Sequence, residues 1–167
     1  MTSTFVAILM GSDSDLPVMQ STIDILKTFG IEHEVRVRSA HRTPEAAKAY
    51  VKDAEERGCK VFICAAGLAA HLAGAVAGMT TRPVIGVPVD NGPLQGHDAL
   101  LSTVMMPGGI PVATVAIGKA GAKNAGYLAA QILGVADQSI ADKVKAERVA
   151  NAKALLAKDE AMQAKLS

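Results

Sequence analysis

Two adjacent residues, His41 and Arg42, carry the most useful chemistry in this chain. An imidazole titrates near neutrality and can both give and take a proton. A guanidinium presents a planar fork that binds two phosphate oxygens at once. The pair sits in the run Ser39-Ala40-His41-Arg42-Thr43-Pro44, directly after a segment, Glu32 to Val37, whose alternating polar and apolar residues read as a strand. At the carboxyl end of a strand this combination points to a site for a phosphorylated or nucleotide-like small molecule.

A second loop, Gly11-Ser12-Asp13-Ser14-Asp15, follows an apolar run and leads into a helical pattern. Helix N-termini favour anions through their free N–H groups and dipole. Two carboxylates argue against a plain phosphate cradle and suit ribose hydroxyls, from which they accept hydrogen bonds. Helix capping by Ser14 or Asp15 explains the same residues without any ligand. In a third loop, Ala66-Gly67-Leu68-Ala69-Ala70-His71-Leu72-Ala73-Gly74, small residues allow close approach to a flat ring. His71 there reads first as a structural histidine in tight helix packing. The stretches Pro88 to Gly96 and Met105 to Pro111 read as a pocket rim or a subunit interface. His33 reads as exposed and His97 has no role. The histidines lack ligand spacing, so no metal is expected, and there is no GxGxxG after a strand, Walker loop or GxSxG elbow.

The elements that must position these loops repeat as strand, loop, helix. Phe5 to Met10 is a continuous apolar run, the mark of a strand buried on both faces. Leu16 to Phe29 has helical apolar spacing and stops at Gly30. Thr43 as N-cap and Pro44 at the first helical position start a helix running to about Arg57. Further strands are expected at Val61 to Ala65, Val84 to Val87 and Val112 to Ile117, and helices at Ala69 to Met79, Asp98 to Val104 and Ala120 to Leu133. Such alternation predicts a three-layer α/β/α fold with a parallel, flavodoxin-like sheet, whose ligands bind beyond the carboxyl ends of the strands.

The 167 residues suit one domain, 1–167, with a core over about 4–134 and a helical tail over about 137–167. The tail is rich in Ala, Lys and Glu, with sparse apolar anchors, and is expected to pack on a neighbouring subunit. A net charge of +1 gives no electrostatic pull toward nucleic acid or an anionic membrane, and the absence of Trp removes stacking platforms for single strands. No signal peptide or membrane span is read at the N-terminus. Cys59 and Cys64 flank and enter one strand and read as reduced thiols, which fits the cytoplasm. Many small and few bulky side chains give little burial per residue, which favours a homo-oligomer.

Several runs in order resemble one family: Met10-Gly11-Ser12-x-Ser14-Asp15, Ser39-Ala40-His41-Arg42-Thr43-Pro44, Ala69-Ala70-His71-Leu72, Met106-Pro107-Gly108-Gly109-Ile110-Pro111-Val112, and Ala116 to Ala125. They look like the N5-carboxyaminoimidazole ribonucleotide mutases, and the likeness runs to about Leu133. Leu68 and the stretch Asp90-Asn91-Gly92-Pro93 depart from the family's pattern. The resemblance implies an isomerase of purine biosynthesis that moves a carboxyl group from nitrogen to carbon on an imidazole ribonucleotide. It implies decarboxylation, then recarboxylation, without metal or organic cofactor, and assembly as an octamer. It implies His41 as the proton shuttle, Arg42 as the phosphate ligand, Ser12 and Asp15 as substrate contacts, and Ser14, Ser39, Ala40, Gly67 and Leu72 as pocket-lining residues. The alternatives are a direct carboxylase of aminoimidazole ribonucleotide, favoured less because Arg42 follows the histidine, and a non-catalytic nucleotide-binding module.

Overall fold

Five short strands, all parallel, form one sheet in the order β2-β1-β3-β4-β5 in a computed structural model that describes residues 4–166. The strands are β1 (Phe5–Met10), β2 (His33–Val37), β3 (Cys59–Ala66), β4 (Val84–Pro88) and β5 (Ala113–Thr114). The helices are α1 (Leu16–Phe29), α2 (Pro44–Glu56), α3 (Leu72–Ala77), α4 (His97–Val104), α5 (Gly118–Gly134) and α6 (Gln138–Leu166), with a 3-10 turn at Asp13–Asp15. Contacts divide the chain into two compact units, up to Ala129 and from Ala130 on.

In the first unit every residue of β1 is buried, as its unbroken apolar run requires of a strand covered on both faces. Alternate residues serve opposite faces. Phe5, Ala7 and Leu9 of β1, with Phe62 and Cys64 of β3, pack against Tyr50, Val51 and Ala54 of α2 and Leu72, Ala73 and Val76 of α3. Val6, Ile8 and Ile63 face the other way and are equally inaccessible. Helices flank the sheet on both sides. Among them α1 and α5 are joined: the Thr22 hydroxyl donates to the Ala122 carbonyl at 2.6 Å, and the Phe29 and Tyr127 rings meet edge to face at 5.8 Å. Burying each large apolar side chain contributes about 1.5–3 kcal/mol. Cys59 and Cys64 are both buried and unpaired.

Two elements are shorter than their sequence implies. Apolar residues continue to Ile117, but only Ala113 and Thr114 pair with β4, and beyond them the chain turns into α5. The helix expected from Ala69 begins only at Leu72. The left-handed backbone of Leu68 turns the chain, and the His71 N–H donates to the Ala69 carbonyl, which leaves Gly67 to His71 as a loop. The remaining elements lie within about two residues of expectation.

The second unit is dominated by α6, whose first turn is capped by the Asp137 carboxylate accepting from the Ser139 and Ile140 N–H groups. Val149, Leu155, Leu156, Met162 and Leu166 are all exposed along it. No helix among the described residues is long and apolar enough to cross a membrane.

Candidate active site

The parallel sheet reverses its strand order between β1 and β3, with β2 on one side of β1 and the later strands on the other. The loops leaving β1, β2 and β3 therefore diverge around a crevice at the carboxyl ends, where ligands of such sheets bind. A cavity of about 410 Å³ lies there, large enough for a small-molecule ligand. Ser12, Ser14, Asp15, Ser39, Ala40, His41, Arg42, Gly67 and Leu72, all singled out from the sequence, line it together. His71 and Asn91 line it as well. A larger cleft, about 800 Å³, runs past Glu55, Arg82 and Ile110 at the opposite ends of β4 and β5. It holds none of the convergent histidines.

Each loop is tied down locally. In the first, Ser12 caps the 3-10 turn: its hydroxyl accepts from the Ser14 N–H, and the Asp15 carboxylate reaches back to the Ser12 N–H at 3.1 Å, so that Asp15, at the N-cap position of α1, makes no side-chain cap bond to that helix. Asp15 is almost fully buried. Burial raises its pKa above the ordinary aspartate value, and the Asp13 charge adds to this. The hydrogen bonds from the Ser12 and Gly11 backbones and the Arg42 charge oppose it.

In the second loop the chain leaves β2 and closes on itself before α2. The Arg42 N–H donates to the Ser39 hydroxyl at 3.1 Å, and the Ser39 N–H donates to the Thr43 hydroxyl at 2.9 Å. Thr43 occupies the N-cap position of α2, but its side chain spends itself on Ser39 and makes no cap bond to the helix. This closed loop points His41 and Arg42 outward. Arg42 Nη2 crosses to the first loop and donates to the Gly11 carbonyl at 2.8 Å.

His41 meets the third loop. Its Nε2 stands 2.7 Å from Nδ1 of His71, and the two rings are T-shaped, 4.7 Å apart at 74°. One ring must donate and the other accept, so the pair shares a single proton between them. Thirty residues separate the two in the chain. His71 is not the packed structural histidine that its small neighbours suggest: in the fold it is exposed and faces the cavity. The signal available was its placement just after a strand, the same argument that singled out His41. No group of three His, Cys, Asp or Glu side chains that could hold a metal ion occurs among the described residues.

A parallel α/β sheet whose switch-point crevice brings together an imidazole pair, a guanidinium and a buried carboxylate has the build of an enzyme acting on a small anionic molecule. The chain belongs to the AIR carboxylase family, whose model matches residues 5–154. It is 59% identical over 140 residues to the N5-carboxyaminoimidazole ribonucleotide mutase of Thermotoga maritima, covering 84% of this chain and 81% of that one. It is 54% identical over 152 residues to the mutase of the same name from Vibrio parahaemolyticus, covering 91% and 94%. In structure it resembles the crystal structure of Treponema denticola PurE, with a TM-score of 0.85, 36% identity, and coverage of 94% and 97%.

Proposed function

We propose that this chain is an isomerase of purine biosynthesis that converts N5-carboxyaminoimidazole ribonucleotide to its C4-carboxylated isomer. The observation that carries the reading at the site is the His41–His71 contact facing the same cavity as Arg42. The high identity to proteins named as mutases over most of their length supports the reaction.

His41 is the proton shuttle. Its Nε2 is engaged with His71, which leaves Nδ1 for the substrate. As the C–N bond of the carboxylated amine breaks, the nitrogen keeps the electron pair and His41 supplies a proton, releasing carbon dioxide. The C4 carbon of the neutral amine then attacks carbon dioxide to form the C–C bond. His41 removes the C4 proton and returns to its starting state, so protons balance over the cycle. Arg42 binds the phosphate with its fork. Asp15 accepts from ribose hydroxyls, with Ser12 beside it. Ser14, Ser39, Ala40, Gly67 and Leu72 shape the wall that keeps carbon dioxide from escaping between the steps. No metal or organic cofactor enters this scheme.

The chain acts as one domain, with its core over about 4–134 and the tail of about 137–167 packed on a neighbouring subunit of a cytoplasmic homo-octamer. Leu101 and Met105, which are exposed within and just beyond α4, and Leu155 and Leu156 on α6 are the surfaces such an assembly would cover. Sedimentation velocity at assay concentration checks it, and a monomer would refute it.

The test is the isomerisation assay on purified protein, with chelator present and bicarbonate omitted. Conversion of one isomer to the other is expected. Product that forms only from aminoimidazole ribonucleotide plus bicarbonate would replace the mutase with a direct carboxylase. Activity lost to chelator and restored by a divalent ion would overturn the cofactor-free scheme.

A further inference from the structure

The loop after β4 meets the loop after β3 through two interlocking contacts. Leu68 has a left-handed backbone, φ +55°, in which a Cβ crowds a neighbouring carbonyl and which branched side chains avoid. The tip of its side chain lies against Gly92: a Cβ there would stand 2.4 Å from Leu68 Cδ2, and Gly92 is itself left-handed at φ +88°. One residue earlier in each loop the contact is repeated with the partners reversed. The Asn91 carboxamide lies on the bare backbone of Gly67, where a Cβ would stand 1.6 Å from Oδ1.

The residues just before Asn91 are anchored by two further contacts. The Val89 N–H donates to the Ala66 carbonyl at 2.9 Å, and the Asp90 carboxyl packs against Gly118 at the start of α5. Strain of the kind held at Leu68 persists only where its surroundings enforce it, and ligand clamps are a common place for it. Asn91 lines the cavity with His41, His71 and Arg42. It is exposed, and its carboxamide has no hydrogen-bond partner among the described residues.

We infer that Asn91 is a further substrate-binding residue, held in place by a clasp between Leu68 and Gly92, and that its amide donates to the substrate's carboxylate. The inference rests on the mutase reading above, because it needs a substrate that carries a carboxylate. An amide offers two N–H donors and no charge. A cation at this place would bind the carboxylate more tightly than the departing carbon dioxide and so oppose the first step. A neutral donor orients the carboxylate without that penalty. Leu68 is a positioning residue: it acts by fixing the loop that presents Asn91.

The test measures kcat, KM and the melting temperature of five variants beside the wild type. Asn91→Ala is expected to lower kcat/KM about ten- to a hundredfold, the usual worth of one donor to a charged group. Asn91→Asp should be worse still, because it sets a second carboxylate against the first. An Asn91→Asp enzyme as active as Asn91→Ala, or more so, overturns the donor role.

Leu68→Gly relieves the left-handed strain, so its melting temperature should hold or rise while KM rises. A purely structural Leu68 would move the two together. Gly92→Ala should lose activity through its clash with Leu68, and Leu68→Gly/Gly92→Ala should recover part of that loss. The cost of a left-handed alanine is common to both backgrounds and cancels in the comparison. No recovery overturns the clasp. Should Gly92→Ala fail to fold, the opposed shifts in Leu68→Gly decide the same point. A wild type without turnover defeats the mutase reading and removes the substrate this inference requires; an active wild type with indifferent variants defeats the inference alone.

Discussion

Replacing His71 by Ala removes the ring that holds His41 while leaving His41 itself in place. The contact to be lost is one hydrogen bond of 2.7 Å between two imidazole nitrogens. With a proton on the pair it is charge-assisted, and such bonds are worth about 1.5–3 kcal/mol. Both rings are exposed, so water recovers part of this and about 1–2 kcal/mol remains. At about 1.4 kcal/mol per tenfold, the variant should turn over about 5- to 30-fold more slowly. His41→Asn removes the acid–base group and should cost about a hundredfold to ten-thousandfold. The double variant should match His41→Asn alone, because His71 has nothing left to orient. Initial rates at saturating substrate, on protein shown by circular dichroism to be folded, measure all three. Turnover of His71→Ala within twofold of wild type, or multiplied losses in the double variant, would refute the coupling.

Arg42→Ala should weaken binding of the phosphorylated ligand by about 1.5–3 kcal/mol in calorimetry. Arg42→Lys should restore only part, since an ammonium lacks the fork; unchanged affinity in the Ala variant removes Arg42 from the phosphate. Asp15 gives a pH dependence. Its folded pKa is raised by burial, so its contribution to stability is present below the ordinary aspartate pKa and is lost as pH rises through the raised value. Asp15→Asn should therefore melt no lower than wild type at neutral pH, with any gap closing in acid, while binding substrate less well. Thermal melts across that range check the sign: a variant less stable than wild type at neutral pH, with the difference vanishing in acid, would contradict it.

The sheet was legible because β1 and the body of β3 are unbroken apolar runs of strand length, as a strand covered on both faces requires. The start of α2 was legible from Thr43 and Pro44, and α1 from its helical apolar spacing and the stop at Gly30. The Ser39 to Pro44 loop was legible as chemistry because histidine and arginine are adjacent and follow a strand. Three features were hidden because they depend on contacts distant in the chain. The extent of β5 is set by how far β4 accompanies it, and apolar content alone overestimates it. The loop before α3 depends on the backbone of Leu68, which a helix-favouring residue type conceals. The meeting of His41 with His71 requires β1 to sit between β2 and β3, so neither residue's neighbours announce the other.

The two thiols of β3 give the folded chain a built-in clock. Cys59 pairs across to Phe5, while Cys64 lies between Leu9 of β1 and Gly86 of β4, in the middle of the sheet. Burial pushes the Cys59 thiol up to about 11 and the Cys64 thiol further in the same direction. Alkylating reagents attack the thiolate, so the native protein should resist them. Fraying at a sheet edge leaves Cys64 covered, and a maleimide would reach it only when the centre of the molecule comes apart. The rate of labelling at that sulfur thus counts large-scale openings, with no need to install a probe.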